Sequence, residues 1–597
     1  MPQLQPVDGP MTFEILVNGS PLKDTIEIGE FSIMQEVNRI SFASVELIDG
    51  AAIGVSEDGF SNSEGEDFIP GNEIEIKVGY SSNNTTVFKG IIISQSLSVK
   101  NSCSQLRIDC KDKAVKMTRV RSNAIFTQKK DSDAITSIIG NYGLSSTVDA
   151  TDLEHPLLIQ YNATDWDFVV TRAEANNLMV LANQNEVKVK KIDFSVSPVV
   201  TLNASEVIID IDLKLDSEYI AGNYDIDTWD NSQQQTVNSS SPVSAGTSQG
   251  NLTTQKLSEA CHTKNNAHFS SAFITKTESD AWGLAMGSKA ALSKIRGNIS
   301  VQGSSQIIPG DIIELSEFSS RFNGNAFVSG VTHTISEGSW TTKLQIGASP
   351  EWHASLPDVQ ELPASGLLPA VNGTQIGTVK QIHEDTEGNY RVLVNLPVFS
   401  GTDMDNGLWA RLAFPYASNQ AGFFFFPEIG DEVLVNFINN DPRFPVISGS
   451  VYSQKNTPVY DPDQENQFKS IYSKKKILIE FDDVDTILTL KTPAGNTIQM
   501  SEKDKLISLV DQNGNSLKMN DSGITINSSK DISITAGGNL NLSGSSGVSI
   551  KSDADVKADG MNVQLTAQVG FTGKGSGTAE VSASGQTTIK GAMVMIN

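Results

Sequence analysis

Ile524, Ile532, Leu540, Val548 and Val556 stand eight residues apart, and two residues after each come Ile526, Ile534, Leu542, Ile550 and Ala558. The stretch that holds them, ITINSSKDISITAGGNLNLSGSSGVSIKSDADV (524–556), has no aromatic residue and no proline. An apolar pair at i and i+2 is one face of a short strand, and the Gly, Ser, Asn and Asp between pairs are turn formers. A disordered linker has no reason to keep such a register. One chain cannot close a core from it, however. Burying one apolar side chain gains about 1.5–3 kcal/mol, while ordering each residue of an octad costs about 1–2 kcal/mol in backbone entropy. Three chains wound about one axis would bring the pairs together and leave no open strand edge. A single-chain β-solenoid is the alternative. The candidate trimer-core register is therefore Ile524, Ile526, Ile532, Ile534, Leu540, Leu542, Val548, Ile550 and Val556. Pairs upstream (Leu488/Leu490, Ile498/Met500, Ile507/Leu509, Leu517/Met519) and downstream (Val563/Leu565, Val569/Phe571, Ala579/Val581, Met593/Met595) continue it at looser spacing.

The whole chain has 597 residues, enough for three or four domains. Its net charge of −26 is unevenly spread: residues 469–597 hold 13 basic and 13 acidic side chains, so the body carries the excess. An acidic body argues against binding nucleic acid. Three cysteines (Cys103, Cys110, Cys261) are too few for a disulfide framework and read as reduced thiols. The opening MPQLQPVDGPMTFEILVNGS lacks the basic and apolar regions of a signal peptide, and no apolar run is long enough to span a bilayer. The expectation is synthesis in the bacterial cytoplasm and export by some route other than general secretion.

Alternating strand patterns fill 11–120 and return after 296. Helices are expected at 131–143, capped by Ser132 or Asp133, at 163–177, and at 278–296 with Lys294 and Arg296 in the last turn. NSQQQTVNSSSPVSAGTSQGN (231–251) has no periodicity and reads as a flexible insert near 231–256. Pro/Gly-rich 361–373 and polar 454–468 read as linkers around a compact all-β domain at 374–453.

Residues 409–452, WARLAFPYASNQAGFFFFPEIGDEVLVNFINNDPRFPVISGSVY, resemble the VgrG family, the spikes of type VI secretion systems. The matching positions are Trp409, Ala410, Arg411, Phe425, Pro427, Gly430 through Val433, Val435, Phe437, Asp441, Pro442, Pro445, Val446, Ile447 and Gly449. A looser match covers Gln160, Tyr161, Asp165, Phe168, Val169 and Arg172, with Asn177 where a Gly is common. The resemblance implies a mainly β chain: a hub of two barrel-like domains with helical insertions (1–360), an OB-like neck, and an intertwined trimeric β-helix needle (469–597). It implies a homotrimer that joins a hexameric inner tube and baseplate proteins to a tip protein of Pro-Ala-Ala-Arg repeats, with possible effector cargo. On sheath contraction it would be ejected and contact the target membrane transiently. Other readings are a spike with a fused effector enzyme and a trimeric β-helical phage fibre or adhesin.

Candidates for chemistry are weak. GTSQG (246–250) fits a Gly-x-Ser-x-Gly pattern around Ser248 but sits in the polar insert rather than between strand and helix. Glu384/Asp385 and Asp482/Asp483 read as solvated carboxylates. DMDNG (403–407) starts like a calcium loop, but Phe414 stands at position twelve, so a turn is expected. None of the six histidines lies in the tail. No catalytic residue, cofactor or metal site is expected. Met593, Val594, Met595, Ile596 and Asn597 form an apolar close to the sequence and are the candidate docking site for a tip protein.

Overall fold

The structure, a computed structural model, describes residues 3–4, 7–49, 60–100, 103–205, 208–261, 263–399 and 407–596. It divides into two compact units, Met1–Val451 and Tyr452–Asn597. No helix among the described residues is long and apolar enough to cross a membrane.

In the first unit, strands from the N-terminal third and strands from 295–346 share one 13-stranded sheet. Gly324–Ser336 is the joint: it pairs antiparallel with Ile28–Glu36 on one side and with Ser339–Ile346 on the other. Period-two alternation sends Phe31, Ile33, Ile76, Phe88 and Ile108 into one core and Ile299, Val301, Ile313 and Leu344 into a second. Cys103 and Cys110 both lie on Cys103–Lys111. Cys110 is buried and Cys261 exposed; burial pushes the Cys110 thiol up, so it stays protonated.

In sequence, a helical subdomain stands between the N-terminal strands of this sheet and those from 201 onward. Helix α1 (Asp131–Gly140) and helix α2 (Asp165–Ala175) pack Ile135, Ile139, Val169 and Val170 against the hairpin Leu178–Asn183/Glu186–Lys191. The caps differ from expectation. Lys130 precedes α1 with no side-chain cap, because Asp131 turns inward and Thr151 Oγ1 takes the Ser132 N–H at 3.1 Å. Thr164 caps α2 by accepting from the Asp167 N–H. Asn177 after α2 has φ 57°, the left-handed conformation that Asn tolerates.

The segment read as a flexible insert is instead ordered. Gln235–Pro242 pairs antiparallel with Asn223–Asp230, a short helix α3 (Thr254–Ser258) follows, and helix α4 (Lys276–Ser293) lies on the strand. A Cβ at Gly283 would stand 2.5 Å from Ser241 Oγ, and one at Gly287 3.1 Å from the Pro242 carbonyl. Serine and glycine here permit close approach of helix to strand, so the composition that suggested flexibility is that of a tight interface. Lys294 and Arg296 do not sit in the last turn of α4. Lys294 is its C-cap and donates to the Gln249 carbonyl at 2.9 Å, while Arg296 lies on Ile295–Gln302 and donates to Asp216 at 3.1 Å.

A closed five-stranded barrel follows, in the order Gln375–Gln381, Val392–Asn395, Leu408–Leu412, Pro445–Ser450, Glu432–Phe437. The matched sequence pattern is the barrel's own skeleton. Val433, Val435, Phe437 and Ile447 fill its core with Val379, Val392 and Val394. Asp431 Oδ2 accepts the Glu428 N–H, and Asp441 holds the backbone and guanidinium of Arg443.

The second unit opens with seven antiparallel strands in sequence order: Phe468–Tyr472, Leu478–Asp482, Ile487–Lys491, Thr497–Ser501, Leu506–Val510, Ser516–Asn520 and Gly523–Asn527. The upstream pairs read as loose octads are therefore hairpin strands bonded within one chain, and Ile524/Ile526 of the octad register lie on the last of them. Their spacing has its own rule: Ile479, Ile498 and Leu517 recur every 19 residues, as do Phe481, Met500 and Met519, because each repeat is a whole hairpin. Three turns on one edge share a geometry. Ser473, Thr492 and Asp511 N–H groups donate to the carbonyls of Ile477, Asn496 and Asn515, and the N–H groups of Lys476, Gly495 and Gly514 donate back to the first residue of the turn. The fourth position is left-handed, with φ 97° at Gly495, 84° at Gly514 and 64° at Lys476. Lysine lacks glycine's ease there. Lys476→Gly should stabilise this sheet by about 0.5–1 kcal/mol, read as a higher urea midpoint. An unchanged or lower midpoint would contradict that account.

Candidate functional site

Cross-strand register gathers the apolar pairs of the second unit into two continuous rows on one sheet face. Ile479, Leu490, Ile498, Leu509, Leu517 and Ile526 form one; Phe481, Leu488, Met500, Ile507, Met519 and Ile524 form the other. Directly opposed side chains in such ladders stand within contact distance. The row between them, Glu480, Thr489, Gln499, Ser508, Lys518 and Thr525, is polar and points to the other face. Ile498, Met500, Ile507 and Leu509 are each 40–45% exposed, so the apolar face is unpartnered within the chain. A contiguous apolar surface of this kind marks a contact site.

From 528 to 596 the described residues form no strand and make no backbone–backbone hydrogen bond with one another. Bends recur between the apolar pairs, and every described residue from 529 to 596 is exposed. Ile532, Ile534, Leu540, Leu542, Val548, Ile550 and Val556 all lie here and are all exposed, from 52% at Ile532 to 72% at Ile550. Backbone groups need partners once buried, and among these described residues only the N–H groups of Lys530 and Ala554 have one, in Ser528 Oγ and Ser552 Oγ. Met593, Val594, Met595 and Ile596 are likewise exposed, Met595 at 82% and Ile596 at 87%; Asn597 lies outside the described residues.

The catalytic candidates are not assembled. Ser248 sits in a stretch that is neither strand nor helix, and no described histidine or carboxylate hydrogen-bonds to it. Asp385 is held by Arg391, whose hydrogen bonds keep its carboxyl well below the usual range. Asp482 accepts the N–H groups of Val484 and Asp485, and Asp483 pairs with Lys469. Residues 403–406 of the calcium-like loop lie outside the described residues; among the described residues no group of three or more His, Cys, Asp or Glu side chains could hold a metal ion. Phe414 packs on Phe426 at 5.7 Å between ring centroids.

One polar cluster escaped the sequence reading. Asp131, 1% exposed, accepts from Arg172 Nε (2.6 Å) and Nη2 (2.9 Å) and from Asn176 Nδ2 (3.0 Å), and lies 2.8 Å from His155 Nε2. Burial pushes its pKa up, but Arg172, His155 and Asn176 outweigh burial and hold the carboxyl below its ordinary range. On helix α2, which carries Arg172, Asp167 is held low by His353, Thr164 and Arg121 against the opposing effect of burial. Glu174 accepts from Lys289 Nζ (2.6 Å), Asn38 Nδ2 (3.1 Å) and the His353 N–H (2.8 Å). Helix α2 thus ties the turn after Ile28–Glu36, α4 and the segment around 353 together. The sequence signal was Arg172 inside the matched motif; its partners at 131, 155 and 278 are too far apart in the chain to be read as one group.

Residues 8–337, more than half of the chain, match the family model described as the Alg8 N-terminal domain. The chain belongs to that family. Residues 375–452 match the type VI secretion system/phage-baseplate injector OB domain, and 487–556 the phage baseplate V C-terminal trimerisation domain. In this domain order the chain resembles the VgrG spikes, in line with the 409–452 motif. Among relatives, it is 35% identical over 97 residues to "Actin cross-linking toxin VgrG1" of Vibrio cholerae serotype O1, covering 15% of this chain and 9% of that one. It is 30% identical over 137 residues to "Type VI secretion system spike protein VgrG2a" of Pseudomonas aeruginosa, covering 22% and 16%. The chain thus matches only a small part of these relatives' lengths. Among solved structures, the 43 kDa tail protein of prophage MuSo2 from Shewanella oneidensis superposes with a TM-score of 0.45 at 9% identity, over 57% of this chain and 98% of that one.

Proposed function

We propose that this protein is the central hub and spike of a contractile injection machine, acting as a homotrimer. The observation that carries the proposal is the two-row apolar face and the unbonded segment after it, both within or beside the span matched by a trimerisation model. Three copies would bury the rows against one another and supply hydrogen-bond partners to 528–596. The role is mechanical and non-enzymatic. Sheath contraction pushes an inner tube and the spike outward, and load is spread over many interchain hydrogen bonds that are individually weak. The hub contacts a hexameric tube and baseplate proteins, and Met593–Ile596 seat a Pro-Ala-Ala-Arg repeat tip protein. Intact mass in solution tests the oligomer: a mass of three chains is expected, and a stable 64.2 kDa species would sink the proposal. Deleting 593–597 should abolish co-purification of the tip protein; unchanged co-purification would remove the docking assignment.

A further inference from the structure

The second unit contains two kinds of repeat with opposite consequences for how chains can align. The octads from 524 to 558 are nearly interchangeable: the first four offer an Ile, Leu or Val at both apolar positions and the fifth a Val and an Ala, separated by small turn residues. A chain slipped by eight residues against its neighbours would still face apolar pair with apolar pair. Such a pattern specifies side-chain face but not axial position. The 468–527 sheet has no such freedom. Its seven strands pair with one another within one chain, leaving only the outer edges of Phe468–Tyr472 and Gly523–Asn527 open, so it meets other copies as a preformed block. Its turns are fixed locally: Asp511 accepts from the N–H groups of Asn513 and Asn515, Asp482 from those of Val484 and Asp485, and Ser501 Oγ from that of Asp504. Neighbouring strands pair with neighbouring strands, a topology of short loops that forms quickly.

We propose that the 468–527 sheet is a register clamp that folds first and directs the octad segment to close in one direction, from Ser528 toward Ile596. This rests on the homotrimer proposed above. Three preformed sheets joining through their apolar rows place the three Ser528 residues at one level. The first octad is then the only one whose partners stand at the correct height. Each octad that closes positions the next. Closure beginning at a distant octad would need three unstructured segments to meet with no defined register, at the full cost of ordering them.

The test uses the full chain with one lesion in the octads. In Leu542→Asp, three carboxylates would enter a narrow apolar core, which is strongly unfavourable. The expected result is a trimer by intact mass in which limited proteolysis removes everything beyond about residue 540 and leaves 468–535 intact. Ile550→Asp should move that boundary outward by one octad. This second variant separates directional closure from a general failure to fold. Protection of 556–596 in either variant would overturn the proposal, because closure would then start elsewhere. Cleavage within 468–527, or loss of the trimer, would overturn it too, because the clamp would depend on the octads. A wild-type chain that is monomeric would reject the trimer itself, a result distinct from both.

Discussion

Asp131→Ala should destabilise the helical part of the hub by about 3–5 kcal/mol, the usual cost of removing one partner from a buried ion pair. The substitution strips four contacts from one carboxylate and leaves Arg172, 17% exposed, with Glu278 at 3.2 Å as its remaining ion-pair partner among the described residues. Hydrogen exchange reads the effect locally: amides of α1 and α2 should exchange faster while those of the 375–450 barrel keep their rates. Unchanged rates in α1 and α2 would show that the cluster is not what holds them. The same cluster sets an acid limit. The folded-state pKa values of Asp131 and Asp167 are both below the ordinary carboxylate value. Their contribution is therefore complete above the unfolded-state value of about 3.9 and is lost as pH falls through the folded-state values. The hub should lose stability from about pH 4 downward, and Asp131→Ala should show a shallower acid limb because one of the two groups is gone.

The double substitution Ile498→Asp with Leu509→Asp should convert the trimer to monomer. These two side chains oppose each other directly in one apolar row and are each about two-fifths exposed in the single chain. Charges there cost little in a lone sheet whose face meets water. Six carboxylates facing a shared axis would have to shed that water, at several kcal/mol each. Intact mass should therefore fall to one chain while circular dichroism keeps the strand signal of 468–527. A variant that still runs as a trimer would mean that the rows are not the interface.

How much of this was legible in the sequence depended on whether a signal was local. The octad register was visible because five apolar pairs follow at four equal intervals without interruption. The 19-residue hairpin repeat was present in the same text but hidden: its apolar pairs alternate between two intervals, one for each edge of the sheet, and read as irregular when judged against eight. The barrel's pattern was legible because Gly430 through Val435 and Asp441 through Ile447 each encode a turn followed at once by a strand. The stretch 231–256 was misread because serine and glycine carry two meanings. Without the partner helix in view, the side chains that let Gly283 and Gly287 approach Ser241 and Pro242 look like those of a loose linker. The Asp131 cluster was invisible for a different reason: burial of a carboxylate depends on which distant arginine it meets, and no spacing rule connects 131 to 172.

The chain from 528 to 596, which makes no backbone bond with itself, has a consequence for how the protein is produced. If three copies finish one another, the rate of completing a spike rises steeply with chain concentration, approaching the third power when the chains are dilute. Slow synthesis would leave tails waiting, open to proteases, for longer than fast synthesis. Their make-up suits the wait: no tryptophan, one phenylalanine, and lysine and aspartate scattered among glycine and serine give little for stray strands to adhere to. Expression level, and not only sequence, would then decide what fraction of the protein is whole.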